Sequence, residues 1–420
     1  MKIVFKNSTV KSFLEEFKHM SISEIALFFL TLLIWVDRIL LSYADAVLMR
    51  LPIIGSLSDY IIAAIYVILI PLALPKIFEN VRASDIILGF IVIIVCLLNL
   101  VVFPSNSLFL QKYLPTFLLL TFPLYYIGLS FDIEKLYPWV YALSSITIVA
   151  FSMYKLFISA PMDDIESMYQ GDMQSSYFVL PHVCVVSIAA IKKPTWVNIP
   201  LSALGIIIIA LMGSRGPLIC ITLAIVVYLV FFKQYKKPIL AYTLIIMIAI
   251  ALLLSLEQMM IMLYKLAESV GLSVRVFDKF LEGAFASSGS RERIKDILLE
   301  KISENPILGY GLFSDRVAAG NYAHSIAIEL WHAFGIFLGS AILGSIAFIL
   351  IRAFLMIEKQ RYEWVCLFIS LLFSGFVKLF LSGSFLDEIY LFLLLGICVR
   401  LIRSRKTNEF SILEQQKYNS

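Results

Sequence analysis

Residues 86–103 read Ile86-Ile87-Leu88-Gly89-Phe90-Ile91-Val92-Ile93-Ile94-Val95-Cys96-Leu97-Leu98-Asn99-Leu100-Val101-Val102-Phe103, without one Asp, Glu, Lys or Arg. The run is close to the roughly 20 apolar residues that a helix needs to cross the hydrocarbon core of a bilayer. In lipid such a segment needs only an internally bonded backbone, which a helix supplies. The same signal recurs on both sides of it. The expected spans are Ile22–Leu41, Tyr60–Phe78, Ile86–Phe103, Leu114–Leu129, Leu136–Ile158, Tyr177–Ile191, Trp196–Met212, Pro217–Phe232, Ile239–Leu256, Gly335–Leu355, Trp364–Phe380 and Phe385–Val399. This predicts an all-α polytopic membrane protein with about twelve transmembrane helices, forming a single integral membrane domain over residues 1–420. Composition agrees, since 60% of residues are hydrophobic and 15% charged, against about a quarter charged in soluble domains.

Loop charge orients the spans, because Lys and Arg concentrate on the cytoplasmic side. With the N-terminus inside, the inner loops hold Lys76 and Arg82, Lys135, Lys192 and Lys193, then Lys233, Lys236 and Lys237. Further along they hold Arg352, Lys359 and Arg361, and finally Arg400, Arg403, Arg405 and Lys406. The loop Ser159–Ser176 falls outside, and it carries Asp163, Asp164, Glu166 and Asp172 but no cation. Both termini are therefore expected in the cytoplasm, with residues 401–420 as the cytoplasmic tail, polar and loose after Lys406. Trp35, Trp139, Trp196 and Trp364 fall near span ends, as interfacial anchors do. The outer segment 257–322 is the longest loop, and loops of that length are usually functional. No basic face suggests nucleic acid. The five cysteines form no CxxC pair, so neither a zinc site nor a disulfide framework is indicated.

Polar chemistry gathers at the end of that long outer segment. Ser288-Gly289-Ser290-Arg291-Glu292-Arg293 opens an amphipathic helix with Ile294, Ile297, Leu298 and Ile302 on one face. Asn305-Pro306 ends it, because the residue before proline resists the α conformation. Arg291 and Arg293 occupy the first turn, at the positive end of the helix dipole. Cations there are unfavourable until an anion arrives, and phosphate is the usual one. Against this stands a solvated arginine pair, partly offset by Glu292 and Asp296. Gly213-Ser214-Arg215-Gly216-Pro217 forms a tight outer turn that places Arg215 above a second helix start; the bland alternative is an arginine reaching to headgroup phosphate. His324 lies at the start of a further helix, where the dipole disfavours imidazolium and keeps the ring able to accept a proton. Tyr310, Arg316 and Glu329 border this cluster. Lys378, near the outer end of its span, either snorkels or reaches a lipid phosphate. His332 and His182 are read as packing residues, and His19 has no role. Asp163-Asp164 is a solvated acidic loop more readily than a cation site.

The motifs Gly213-Ser214-Arg215-Gly216, Ser290-Arg291-Glu292-Arg293-Ile294, Asn305-Pro306-Ile307-Leu308-Gly309-Tyr310-Gly311 and Ala323-His324-Ser325 occur in that order. Together they resemble the bacterial O-antigen polymerase and O-antigen ligase superfamily, over Gly213 to about Gly339. Many relatives carry Asn after the loop histidine, where this chain has Ser325. The resemblance implies a C-type membrane glycosyltransferase fold in the bacterial inner membrane, acting at its outer face on glycans carried by undecaprenyl pyrophosphate. It implies that Arg215 and Arg291 bind the donor pyrophosphate and that His324 activates the acceptor hydroxyl. Arg293, Tyr310, Arg316 and Lys378 are further candidate substrate contacts, and a chain-length regulator is a candidate partner. No metal or cofactor is called for, because two guanidiniums can neutralise the leaving group. The preferred function is a polymerase of O-antigen or capsular repeat units. The alternatives are the ligase that moves finished glycan onto lipid A–core, a peptidoglycan polymerase, and, from another class, a lipid-glycan flippase or transporter.

The topology has a direct check. In a cysteine-free background, single cysteines at Ser175 and Ser314 are expected to react with an impermeant thiol reagent in spheroplasts, and one at Gln234 is not. Labelling at Gln234 alone would invert the orientation.

Overall fold

Backbone N–H and C=O groups find no water in hydrocarbon, so a chain this apolar must satisfy them within helices. The computed structural model describes residues 17–48, 57–153, 165–212, 215–233, 291–357 and 361–418, with Met247, Gln258, Ile261, Met262 and Lys265 as single positions. Among these residues every regular element is helical. In order they are α1 (Ile22–Leu48), α2 (Leu57–Phe78), α3 (Ala83–Val102), α4 (Ser107–Thr116), α5 (Leu124–Ser130), α6 (Ile133–Met153), α7 (Ile165–Lys192), α8 (Asn198–Leu211) and α9 (Arg215–Phe231). After α10 (residues 291–304) come α11 (Ser314–Ala319), α12 (Ile326–Met356), α13 (Tyr362–Leu371) and α14 (Ile389–Tyr418).

Six described segments are long and apolar enough to cross a membrane: Ala83–Val102, Pro104–Ser130, Ile133–Met153, Gln174–Lys192, Ile326–Met356 and Tyr362–Phe380. Ile22–Val36, Ala64–Phe78, Asn198–Ala210 and Arg215–Phe231 are shorter apolar helices. The expected span Ile239–Leu256 lies outside the described residues, as do Asp163-Asp164 and Gly213-Ser214. The prolines of the fourth span leave their mark as a π-helical turn, Phe117–Thr121, between Pro115 and Pro123. After Lys406 the tail continues as helix in α14 as far as Tyr418.

Apolar helices are told apart by what covers them. The Gln174–Lys192 window is 78% buried, whereas those of Ala83–Val102 and Ile326–Met356 are 22% and 17% buried. Helix α7 is thus the core helix, and most of α3 and of α12 beyond Gly335 is left uncovered by the rest of the chain. Trp35 is not an interfacial anchor: it is fully buried within α1 and donates from Nε1 to Ser144 Oγ at 3.0 Å. His182 meets the same hydroxyl through Nδ1, at 3.1 Å, in a packed polar contact. Helices α5 and α14 touch backbone to backbone, since a Cβ on Gly396 would lie 2.1 Å from Tyr125 O and one on Gly128 2.4 Å from Leu393 O. Small residues allow such approach where lipid gives helices no hydrophobic reason to associate.

Polar contacts then mark two ends. At the start of α3, Asp85 receives both guanidinium nitrogens of Arg403 at 2.7 Å and the Tyr125 hydroxyl at 2.7 Å. Other helix ends add Lys76–Glu24 at 3.0 Å and Arg361–Glu134 at 2.7 Å. Lys76, Arg361 and Arg403 are cations that the charge pattern assigns to inner loops, and each of them meets a carboxylate. Near the other end of α3, roughly 20 Å along its axis, Asn99 reaches the loop that follows α10.

Helix α12 is broken at Gly335, whose φ of 76° and ψ of 167° no helix accommodates. The two halves fold sharply against each other. A Cβ on Gly339 would sit 2.6 Å from Leu330 O, a pair that a straight helix would hold about 13 Å apart. A break frees backbone groups, and the Asn305–Gly311 segment takes them up. Tyr310 N and Gly311 N donate to His332 O and Ala333 O at 2.8 and 2.9 Å, and Ile336 N donates to Pro306 O at 2.7 Å. Gly309 and Gly311 also have positive φ, and a Cβ on Gly335 would meet Ile307 O at 2.1 Å. Gly335→Ala is therefore expected to cost roughly 1–3 kcal/mol or more, seen as a lower thermal unfolding temperature in detergent. Gly344→Ala, in the same helix with nothing within 4 Å of its added Cβ, is expected to stay within about 0.5 kcal/mol.

Candidate active site

The clasp around Gly335 sets the course of the chain from α10 to α12. Asn305 Nδ2 donates to Gly309 O at 2.8 Å, closing the turn after α10. Asn106 Nδ2 donates to Tyr310 O at 2.8 Å, and Leu312 N donates to Asn99 Oδ1 at 2.7 Å. The loop is thereby tied to α3 and to the turn before α4. Tyr310 stacks on His332 with ring centroids 5.1 Å apart, and its hydroxyl donates to Glu304 at 3.2 Å. His332 Nδ1 meets Ser314 Oγ at 2.8 Å, and that hydroxyl also donates to Gly311 O. Ser314 is consequently buried, so Asn321, which is exposed, is the better position for outer-face labelling. Asn99 and Asn106 were not singled out from the sequence. The available signal was an amide within or beside an apolar run, which lipid does not favour without a partner.

Chain reversal after Gly311 places Asp315 and Arg316 beneath the next loop. Arg316 is 6% exposed. Its guanidinium lies 3.1 Å from Asp315, 3.7 Å from Glu329 and 3.2 Å from Asp387. It also lies over the rings of Phe313 and Tyr113, at 4.9 and 5.4 Å from the centroids. Burial works against its charge, but the three carboxylates outweigh that and hold its pKa above the ordinary arginine value. Burial pushes the Asp315 carboxyl up, with Arg316 and the N–H groups of Ala323 and Arg316 opposing. Glu329 is bound by the Ser384 hydroxyl and accepts from Phe385 N at 3.0 Å. Residues of the 384–387 turn thus join the cluster from a distant part of the sequence.

His324 follows directly. Ala323 N donates to Asp315 Oδ2 at 3.0 Å, and α12 begins at Ile326. His324 itself has φ of 54°, a left-handed conformation uncommon outside glycine. The ring is 8% exposed, packs at 4.1 Å against Tyr322, and keeps Nδ1 buried without a hydrogen-bond partner. Burial, followed by the positive charges of Arg291 and Lys295, lowers its pKa to about 4. The imidazole is therefore neutral at physiological pH. Arg291 and Lys295, in the first turns of α10, face it closely enough to oppose its protonation.

The other candidates stand as follows. Arg293 is exposed on α10, while Arg291 is half-buried. Arg215 is the first residue of α9 and is exposed. Its neighbour Gly216 lies against the Tyr177 hydroxyl, which a Cβ would approach to 1.9 Å. The Tyr177 ring in turn sits 5.6 Å from Lys378 Nζ, and Lys378 is buried in an ion pair with Glu388. Lys378 thus belongs to the surroundings of the α9 start and is neutralised there. The geometry links Arg291 to His324, and it sets Tyr177 between Gly216, beside Arg215 in sequence, and Lys378. Among the described residues no cluster of His, Cys, Asp or Glu is arranged to hold a metal ion.

Comparison with curated proteins finds no match. A family model described as O-antigen ligase matches residues 200–343. The matched stretch contains Arg215, Arg291, the Asn305–Gly311 clasp, Arg316, His324 and the Gly335 break, and it leaves out Lys378, Asp387 and Glu388. Over this stretch, which is less than half of the chain, the sequence is similar to the O-antigen ligase family.

Proposed function

We propose that this protein is a polymerase that extends undecaprenyl-pyrophosphate-linked O-antigen or capsular repeat units at the outer face of the bacterial inner membrane. The observation that carries the reading is His324: buried, neutral, held in a left-handed conformation, with a ring nitrogen lacking a partner and Arg291 facing it. A general base must be unprotonated at working pH and have a free lone pair. The acceptor hydroxyl attacks the anomeric carbon of the donor sugar and passes its proton to the imidazole. The bond from that carbon to the pyrophosphate oxygen breaks, and undecaprenyl pyrophosphate leaves. Arg291 and Arg215 take the negative charge that develops on the leaving group. Charge-assisted hydrogen bonds of this kind contribute about 1.5–3 kcal/mol each. One base without a carboxylate nucleophile favours a single displacement with inversion.

The ligase reading has its own support in the similarity of residues 200–343 to the O-antigen ligase family. The Asn305–Gly311 motif, which favours a polymerase at the level of sequence, binds the backbone of a broken helix and serves either activity equally. A transporter would also use a broken helix, with freed carbonyls left for an ion. Here His332 O and Ala333 O are taken by backbone N–H groups of the clasp. Deletion of the gene with gel analysis of surface glycan separates the readings. A single repeat unit on the core denotes loss of a polymerase. Bare core with long lipid-linked glycan denotes loss of a ligase, and unchanged glycan removes both.

His324→Ala is expected to abolish extension at normal protein level, with His182→Ala and His332→Ala retaining substantial activity. Arg215→Lys and Arg291→Lys are expected to fall well below wild type, because lysine keeps the charge but not the planar fork. Thermal stability should change little, and added undecaprenyl pyrophosphate should stabilise wild type more than either variant. Equal responses with normal extension would make the arginines interfacial anchors.

The depressed pKa of His324 predicts a pH profile. Turnover should stay level as pH falls from 8 and drop only as His324 gains a proton near pH 4. An unperturbed histidine would lose half its base form near pH 6.5. Lys295→Gln removes one opposing charge and should move this acid limb to higher pH. The unfolded chain binds the proton below about pH 6.5, and the folded one not until about 4. Stability should therefore decline as pH falls through that window. An acid limb unmoved in Lys295→Gln would assign it to another group.

A further inference from the structure

A histidine with φ of 54° occupies backbone space that costs on the order of 1–3 kcal/mol, and it stays there only if its surroundings leave no alternative. Both flanks of His324 are held by residues whose carboxylates share one cation, upstream through the Asp315 carboxylate and downstream through the Glu329 backbone. Upstream, Asp315 Oδ2 accepts from Ala323 N at 3.0 Å. Downstream, Glu329 lies in the first turns of α12, where its N–H donates to Ser325 O at 2.9 Å. Arg316 Nη1 reaches Asp315 Oδ1 at 3.1 Å and Glu329 Oε1 at 3.7 Å, while Nη2 reaches Asp387 at 3.2 Å. The 384–387 turn closes the arrangement through the Ser384 hydroxyl and Phe385 N on Glu329. Tyr113 and Phe313 lie under the guanidinium plane.

We propose that Arg316 is a positioning residue for His324, acting through Asp315 and Glu329 and making no contact with the donor. This rests on the assignment of His324 as the base. A guanidinium presents two nitrogens in a fixed plane, so one side chain spans carboxylates on separate elements; a lysine ammonium is a point charge and cannot span them in that way. The same burial that makes Arg316 a good strut makes it a poor phosphate ligand. To reach a donor it would have to abandon carboxylates that would then be left buried without their cation.

The test uses the full-length protein in detergent or liposomes, with lipid-linked oligosaccharide extracted from the producing cells. Arg316→Lys and Asp315→Asn are each expected to lower kcat about 10–100-fold, the scale of a misplaced catalytic group, with KM for the lipid-linked donor unchanged within about twofold. Arg316→Lys should also move the acid limb of the kcat–pH profile, because a displaced imidazole no longer keeps its distance from Arg291 and Lys295. If Arg316→Lys does not fold, Asp315→Asn carries the same comparison, since Asn can still accept from Ala323 N while losing the charge that binds Arg316. A raised KM with kcat preserved would make Arg316 a donor contact and overturn the proposal. An acid limb unmoved in both Arg316→Lys and Asp315→Asn would overturn it as well. Full activity in His324→Ala alone would instead overturn the base assignment, whatever Arg316 does, so the two failures are distinguishable.

Discussion

A helix broken in an apolar environment leaves backbone groups that must find partners, and the outer part of this fold is built around meeting that demand at Gly335. The positive φ there separates the two halves of α12, and the Pro306–Gly311 segment supplies donors and an acceptor to both sides of the break. Close approach requires glycine at Gly309 and at Gly335, where any Cβ would run into backbone. Everything that follows depends on this clasp. It fixes the exit of α10, the entry to α11 and, through Ser314 and His332, the position from which the chain returns to His324.

Charge is distributed around the site by burial. Arg316 is deep and surrounded by carboxylates, so it is a tie between elements. Lys378 is deep and paired with Glu388. Arg215 and Arg291 remain at or near the surface, at the starts of α9 and α10. Those are the positions at which the proposed reaction needs a guanidinium to meet an anionic lipid headgroup. The same cationic helix start that suits a pyrophosphate also keeps His324 from taking up a proton early. One electrostatic arrangement therefore serves both halves of the proposed reaction.

The membrane class, the positions of most helices and the motif residues were legible in the sequence. Lipid imposes a simple rule on composition, and a run such as Ile86–Phe103 obeys it visibly. The helix ending before Asn305-Pro306 was legible for a similar local reason, since proline restricts the residue before it. Trp35 misled because position near the end of an apolar run does not say which face meets lipid. Helix α1 extends to Leu48 and turns Trp35 inward against Ser144.

The sequence by itself determined an all-helical membrane protein and a polar cluster containing Arg291, Arg316 and His324, because hydropathy, charge and helix-terminus chemistry act over a few neighbouring residues. Only the tertiary structure decided which cations are spent on structure. Arg316 and Arg291 look alike in sequence, yet one is enclosed by Asp315, Glu329 and Asp387 and the other faces a neutral histidine. The physical reason is that a charge's role is set by what desolvates and pairs it. Here those partners come from turns and helices far apart along the chain, brought together by a broken helix that no local pattern announces.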